Sequence, residues 1–353
     1  MAPKFKGDDE DWLDDEQSLN RQRGRAARPK KPKAPELAPE QANATVVEVF
    51  PNQCRVRFDQ PGSDPAQILC SYRRAFVAGA GGENYRERTP VAVGDRVEAT
   101  RSSPDAGIVE GICVRRNFLA RPAPGRDSKN VIHVLAANVD LLVILAAAHQ
   151  PEFSPGLVDR FLVAAHVAGI PTLLCVSKVD LCAPGEKLET APWKVYSELG
   201  VEVMLESAKT GEGLESLRER LRSQCVVFCG HSGVGKTSLL RKLAETEIGK
   251  IGVVSDFTGK GRHTTTGAIM VPGPQGSRWI DTPGIKEFGL WGVSPEKLAD
   301  YFPEMRDLEC RRERSCLHEK EIDCQARALP RYQSYSRIMA SLREDAESEE
   351  VAR

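Results

Sequence analysis

The run GHSGVGKTS, Gly230 to Ser238, constrains this chain more than any other stretch. It matches G-x-x-x-x-G-K-[ST], follows the apolar run Val226 to Cys229 and precedes the helical LLRKLAE. A glycine-rich turn between a strand and a helix aims backbone N–H groups inward at phosphate oxygens. The helix N-terminus behind it adds partial positive charge. Gly230, His231, Ser232, Gly233, Val234, Gly235, Lys236, Thr237 and Ser238 are therefore expected to cradle phosphates. Lys236 should reach the β- and γ-phosphates, and Thr237 should coordinate Mg²⁺. The competing reading is a glycine-rich turn with a stray lysine.

Three further segments choose the nucleotide. DTPG, Asp281 to Gly284, follows the apolar pair Trp279-Ile280 about fifty residues after the loop. Asp281 is expected at a strand end holding Mg²⁺ through water, with the Gly284 N–H facing the γ-phosphate. SKVD, comprising Ser177, Lys178, Val179 and Asp180, follows the strand-like TLLCV. An Asp there accepts hydrogen bonds from guanine N1–H and the exocyclic amine. Adenine has neither donor and would leave the carboxylate unpaired. Lys178 should lie along the base. Ser177 stands where GTPases usually have Asn, and the expectation is weaker affinity rather than altered base choice. In SAK, comprising Ser207, Ala208 and Lys209, the Ala208 N–H is expected to approach guanine O6. The order is SKVD, SAK, phosphate loop, switch, DTPG, whereas an ordinary GTPase starts with the phosphate loop. The same sheet has been cut and rejoined elsewhere, which is possible when the original ends lie close together.

The surrounding pattern fits. VDLLVILAAA, PTLLCVSK, VEVMLESA and CVVFCG read as buried strands, separated by the helical VDRFLVAAHVAG, VYSELG and LESLRERLRS. That alternation predicts a mainly parallel sheet with helices on both faces. Residues 44–115 instead hold short β-rich runs separated by turn signals, predicting a small OB- or SH3-like barrel. Arg55, Arg57, Arg73 and Arg74, with Tyr72 and Phe76 nearby, suit RNA. Residues 1–43 read as a disordered charged tail, acidic then basic. Residues 116–130 read as a basic linker opening a permuted GTPase domain over 116–289. A helical zinc-binding module is expected over 290–353.

Lys+Arg number 49 and Asp+Glu 50, so the net charge of −1 names no partner by itself. The most apolar stretch, Val131 to Ala148, is broken by His133, Asn138 and Asp140. It falls short of the roughly 20 apolar residues a spanning helix needs, so no membrane association and a cytoplasmic location are expected. Cys310, Cys316, His318 and Cys324 form C-x5-C-x-H-x5-C. Three thiolates and an imidazole suit one tetrahedral, structural Zn²⁺ per chain, and the alternative is free thiols beside a surface histidine. Arg311, Arg312 and Arg314 in the first gap can meet nucleic-acid phosphates. Cys175, Cys225 and Cys229 on predicted strands are simplest as small core residues.

A barrel, then GxSGVGKT, GRHTTT (Gly261 to Thr266) and DTPG in permuted order, then a Cys/His cluster resembles the RsgA (YjeQ) family of circularly permuted GTPases. The resemblance spans about residues 44 to 342. It implies GTP hydrolysis to GDP stimulated by the small (30S) ribosomal subunit, contact with 16S rRNA, a role in late subunit maturation, bound zinc and a monomeric state. In the family's first cysteine gap four residues are usual and here there are five, which makes Cys310 the least secure ligand. Thr265 is chosen to meet Mg²⁺ and the γ-phosphate, with Thr264 and Thr266 as alternatives. Ile285 stands where many GTPases place a water-orienting Gln and cannot position water. His263 is therefore the candidate for that role, the competing view being that it contacts rRNA or packs. Two other readings stay open. One is a non-catalytic, nucleotide-dependent rRNA-binding assembly module. The other is a phosphate-loop ATPase or kinase.

Overall fold

Alternation of buried and half-exposed residues builds the N-terminal part of the chain. A computed structural model describes residues 36–351, apart from 61–65, 73–84, 124–130, 184–190, 249–267, 283–288, 307, 309–315 and 320–323. The strands are β1 (Glu36–Leu37), β2 (Ala44–Phe50), β3 (Gln53–Phe58), β4 (Gln67–Tyr72), β5 (Arg86–Glu87), β6 (Arg96–Arg101) and β7 (Ala106–Cys113). Along β7 every second side chain is buried. The pairings β2–β3, β3–β4, β4–β7, β7–β6 and β6–β2 form a closed ring, the five-stranded barrel expected. Register shifts at Val46/Glu48 and Glu98/Ala99 let the strands bend enough to close. Val46, Cys54, Val56, Ile68, Val97 and Val109 fill its interior. Order begins before residue 44, because Glu36–Leu37 pairs with Ile112–Cys113.

Part of the stretch expected as linker is a strand. β8 (Phe118–Pro122) pairs with β9 (Val131–Ala137), and β9 pairs with β5, giving a second, three-stranded sheet. Leu119 and Ala120 supply enough apolar surface to be buried there, outweighing the flanking arginines.

The remaining strands alternate with helices: β10 (Leu141–Ala147), α1 (Pro155–Ala168), β11 (Thr172–Ser177), α2 (Lys194–Glu198), β12 (Glu202–Leu205), α3 (Leu214–Arg220), β13 (Cys225–Gly230), α4 (Lys236–Ile248), β14 (Ile269–Pro272) and β15 (Arg278–Asp281). The spatial order is β14-β15-β13-β10-β11-β12, parallel except for β14. Central β10 and β13 are buried along their whole length, as a sheet covered on both faces demands. Cores lie on the two faces, one around Ile144, Phe161 and Tyr196, the other around Leu145, Phe228 and Trp279. Cys175, Cys225 and Cys229 are buried in these strands, and burial pushes the Cys225 and Cys229 thiols up to about 11 and about 12. They are core residues, as read. One register pair, Ile269 with Glu48, joins this sheet to the barrel.

The C-terminal α5 (Pro303–Arg306) and α6 (Tyr332–Val351) share the first of these cores through Phe302, Tyr335, Ile338 and Met339. A buried charge cluster ties them to α1. Arg331 Nε lies 3.3 Å from Asp159 Oδ1 and 3.1 Å from Glu304 Oε1, and its guanidinium stacks over the Phe302 ring. No helix among the described residues is long and apolar enough to cross a membrane.

Candidate functional site

Parallel strands deliver their C-terminal ends to one edge of a sheet, and ligands of open α/β sheets bind there. The ends of β11, β12, β13 and β15 carry SKVD, SAK, the phosphate loop and DTPG. The loop turns because Gly233 and Gly235 take φ of 87° and 96°, which other residues rarely adopt. α4 then starts at Lys236, with the Leu239 N–H closing its first turn on Gly235 O at 2.9 Å. Val234 is buried and anchors the loop to the core, while His231 is exposed with Nδ1 2.8 Å from Ser232 O.

Lys236 Nζ forms an ion pair with Asp281 Oδ1 at 2.6 Å and also bonds Thr282 O. The Thr282 hydroxyl donates to Phe228 O at 2.9 Å, fixing the end of β15 on β13. Gly284, His263 and Thr265, with its alternatives Thr264 and Thr266, lie outside the described residues.

The segments expected to select the base meet the expected phosphate loop directly. Ser177 Oγ donates to Val234 O at 2.6 Å, so the residue in place of Asn still ties SKVD to the loop. Lys178 adopts a left-handed φ of 58°, and its Nζ bonds Gly233 O at 2.6 Å and also Gln150 O. Those contacts offset the strain of that backbone conformation. The Ser207 hydroxyl donates to Asp180 Oδ1 at 2.7 Å, and Lys209 Nζ lies 3.6 Å from Asp180 Oδ2. The Ser207 hydrogen bond, with help from Lys209, holds the Asp180 carboxyl below the usual range. Asp180 is therefore an anion at neutral pH, ready to accept two N–H bonds. A cleft of about 520 Å³ opens between these groups, lined among others by Ser177, Lys178, Asp180, Ala208, Gly235 and Ser238.

Glu206 also lines this cleft. It is 1% exposed, and burial pushes its carboxyl up to about 7, against a hydrogen bond from the Ala208 backbone. Its Oε2 has no hydrogen-bond partner among the described residues. Glu206 has no motif signature; its position directly after an apolar strand and before Ser207 is the only sequence signal that finds it.

At the second candidate site, His318 Nδ1 lies 3.9 Å from Cys316 Sγ and 3.4 Å from Cys324 Sγ. Tetrahedral zinc with ordinary bond lengths implies an S···N edge of about 3.6 Å, which these two distances bracket, but no group of three or more His, Cys, Asp or Glu among the described residues is arranged to hold a metal ion. The Tyr332 and Tyr335 hydroxyls donate to His318 O and Leu317 O at 2.9 and 2.8 Å, fixing the turn. Cys310, Arg311, Arg312 and Arg314 lie outside the described residues. Of the barrel arginines, Arg55 pairs with Glu48 at 3.2 Å, while Arg73, Arg74 and Phe76 also fall outside.

Comparison with known proteins bears on the whole arrangement. A family model described as RsgA GTPase matches residues 112–291. A small ribosomal subunit biogenesis GTPase RsgA from Chlorobaculum parvum is 40% identical over 297 residues, 80% of this chain and 93% of that protein. One of the same name from Shewanella oneidensis is 34% identical over 319 residues, 87% of this chain and 85% of that one. Among solved structures, YjeQ from Thermotoga maritima is 29% identical with a TM-score of 0.62, covering 85% of this chain and 98% of that one. YloQ, described as a circularly permuted GTPase, is 25% identical with a TM-score of 0.59, covering 86% and 95%. With its motifs in permuted order around one cleft and this extent of likeness, the chain belongs to the RsgA GTPase family.

Proposed function

We propose that this chain is a GTP hydrolase that binds the small ribosomal subunit, acts late in its maturation and turns over faster on it. The observation that carries the reading is the convergence of Asp180, Ser177 and Lys178 on the Gly233–Gly235 turn. Asp180 accepts the guanine N1–H and amine, and the Ala208 N–H exchanges the Glu206 carboxyl for guanine O6. The N–H groups of residues 231–238 and Lys236 bind the phosphates. In exchanging Asp281 for the γ-phosphate, Lys236 trades one anion for another, so the carboxylate is freed to face Mg²⁺. Thr237 and Asp281 offer the hydroxyl and carboxylate oxygens this hard cation prefers, and bound Mg²⁺ neutralises charge between the β- and γ-phosphates. Thr265 completes the γ-phosphate contacts and His263 orients water.

Cys316, His318 and Cys324, with Cys310 as fourth ligand, hold one structural zinc that fixes the C-terminal segment. The two thiol–imidazole distances around His318 support this. Contacts to 16S rRNA, a monomeric state and a cytoplasmic site of action complete the reading. Phosphate release titrated with purified small subunits tests it. Stimulation of at least tenfold is expected, and turnover indifferent to subunits would remove the assigned role.

A further inference from the structure

The second sheet carries a basic strip that the nucleotide site does not use. Arg121 and His133 are direct cross-strand partners in the β8–β9 pair. On the other side, Glu87 pairs with Ile132 and the Arg88 N–H bonds Ile132 O at 2.8 Å, so Arg88 stands beside His133. Arg88, His133 and Arg121 thus form one row across three strands, and Arg86, two residues before Arg88, extends it along β5. Burial, and then the nearby charges of Arg121 and Arg88, push the His133 ring down to about 4. His133 Nδ1 and Arg121 Nε are covered and have no hydrogen-bond partner among the described residues.

Other arginines nearby are already committed. Arg96 pairs with Asp59 at 2.5 Å, Arg115 with Asp95 and Glu87 at 2.7 Å, and Arg116 with Asp140 at 2.6 Å. No such carboxylate faces Arg86, Arg88 or Arg121 among the described residues. Two guanidiniums flanking a neutral imidazole in a cross-strand row repel, and covered nitrogens are poorly screened by water, so an anion between them relieves the row. Its shape selects the anion. Arg86 and Arg88 are exposed while Arg121 and His133 are half-buried, so the strip is open and elongated rather than a pocket for one small ion. Strand spacing puts the Arg88 and Arg121 backbones about 10 Å apart, which suits successive charges on a polymer.

We propose that Arg88, His133 and Arg121 form a binding strip for consecutive backbone phosphates of single-stranded RNA. The proposal rests on the ribosomal reading for its partner and adds the surface. Full-length protein is titrated with a fluorescein-labelled 12-nucleotide oligouridylate at several salt concentrations. Arg88→Gln with Arg121→Gln should weaken binding about tenfold. It should also lower the slope of log K against log salt by about 1.4, from two phosphate contacts at about 0.7 each. Arg88→Lys with Arg121→Lys should restore most of that slope, because a phosphate needs the charge. Intrinsic GTP hydrolysis should be unchanged in both.

An unchanged affinity and slope in the Gln pair overturns the strip. So does a Lys pair that behaves like the Gln pair, which would make the loss one of packing. Equal, equally sensitive binding of labelled polyglutamate overturns RNA as the occupant. Subunit-stimulated turnover in the same preparations separates the two ideas. Stimulation with an unchanged slope sinks the strip alone; a reduced slope without stimulation sinks the ribosomal role alone.

Discussion

Asp180 shows what one residue contributes to the site. Its carboxylate is oriented by Ser207 and flanked by Lys209 before any base arrives, so little reorganisation opposes binding. Asp180→Asn replaces an acceptor with a donor facing guanine N1–H. It should weaken GTP binding at least a hundredfold and turn preference toward xanthosine triphosphate, read by competition against labelled nucleotide. An ATPase would show no such change. Glu206 supports a pH prediction. Its carboxyl titrates at about 7 when folded, against 4.5 when unfolded. A raised carboxyl is fully compatible with the fold below pH 4.5, and stability is lost as pH rises through 7. The difference is about 3 kcal/mol. Glu206→Gln should therefore flatten the fall in unfolding free energy between pH 5 and pH 8, measured by denaturant titration. A Gln variant that declines as steeply as the parent would remove Glu206 from the account. The sequence made Asp180 legible because base recognition uses a motif. Glu206 and the Ser177–Val234 bond stayed hidden because they depend on which strands lie side by side.

At the scale of elements, the strands and helices around the phosphate loop were readable because unbroken apolar runs such as VDLLVILAAA can only be covered on both faces. β8 was not, since its arginines outweigh Phe118, Leu119 and Ala120 until β9 is beside it. Arg115 directly precedes the stretch that reads as a basic linker. The fold buries it between Asp95 and Glu87, and although burial opposes the charge, those carboxylates push its guanidinium above the ordinary value. Its role is to fasten the barrel to the second sheet. Arg331 does the same between α6 and α1. Arg331→Ala would leave Asp159 and Glu304 buried without their cation. Breaking such a cluster costs about 3–5 kcal/mol. Global stability should fall by that order in urea titration. Arg331→Met, which keeps the volume over Phe302 but not the charge, should recover little of it. Full recovery by Met would show that packing rather than charge fastens the helix.

Across the whole molecule, permutation changes where the DTPG segment leads. Five residues past Gly284, a Cβ on Gly289 would come within 3.1 Å of Pro122 Cδ on β8, and Trp291 packs edge-on against Tyr85 at 5.6 Å between ring centroids. Trp291 also packs against the cluster that contains Ala120, Ile132 and Val134 of the second sheet. Residues 289 and 291, downstream of DTPG, thus pack on the sheet bearing the basic strip. Coupling then requires that the clamp pull on both, since an effector site influences another only through an element whose arrangement both bias. Trp291→Ala removes the clamp without touching the nucleotide. Intrinsic GTP turnover should stay within twofold of the parent, while subunit-stimulated kcat/KM should drop about tenfold, or about 1.4 kcal/mol of transition-state stabilisation. A parallel fall in both rates would mean that Trp291 merely supports the cleft. An unchanged stimulated rate would mean that the signal from the subunit reaches the DTPG segment by another route.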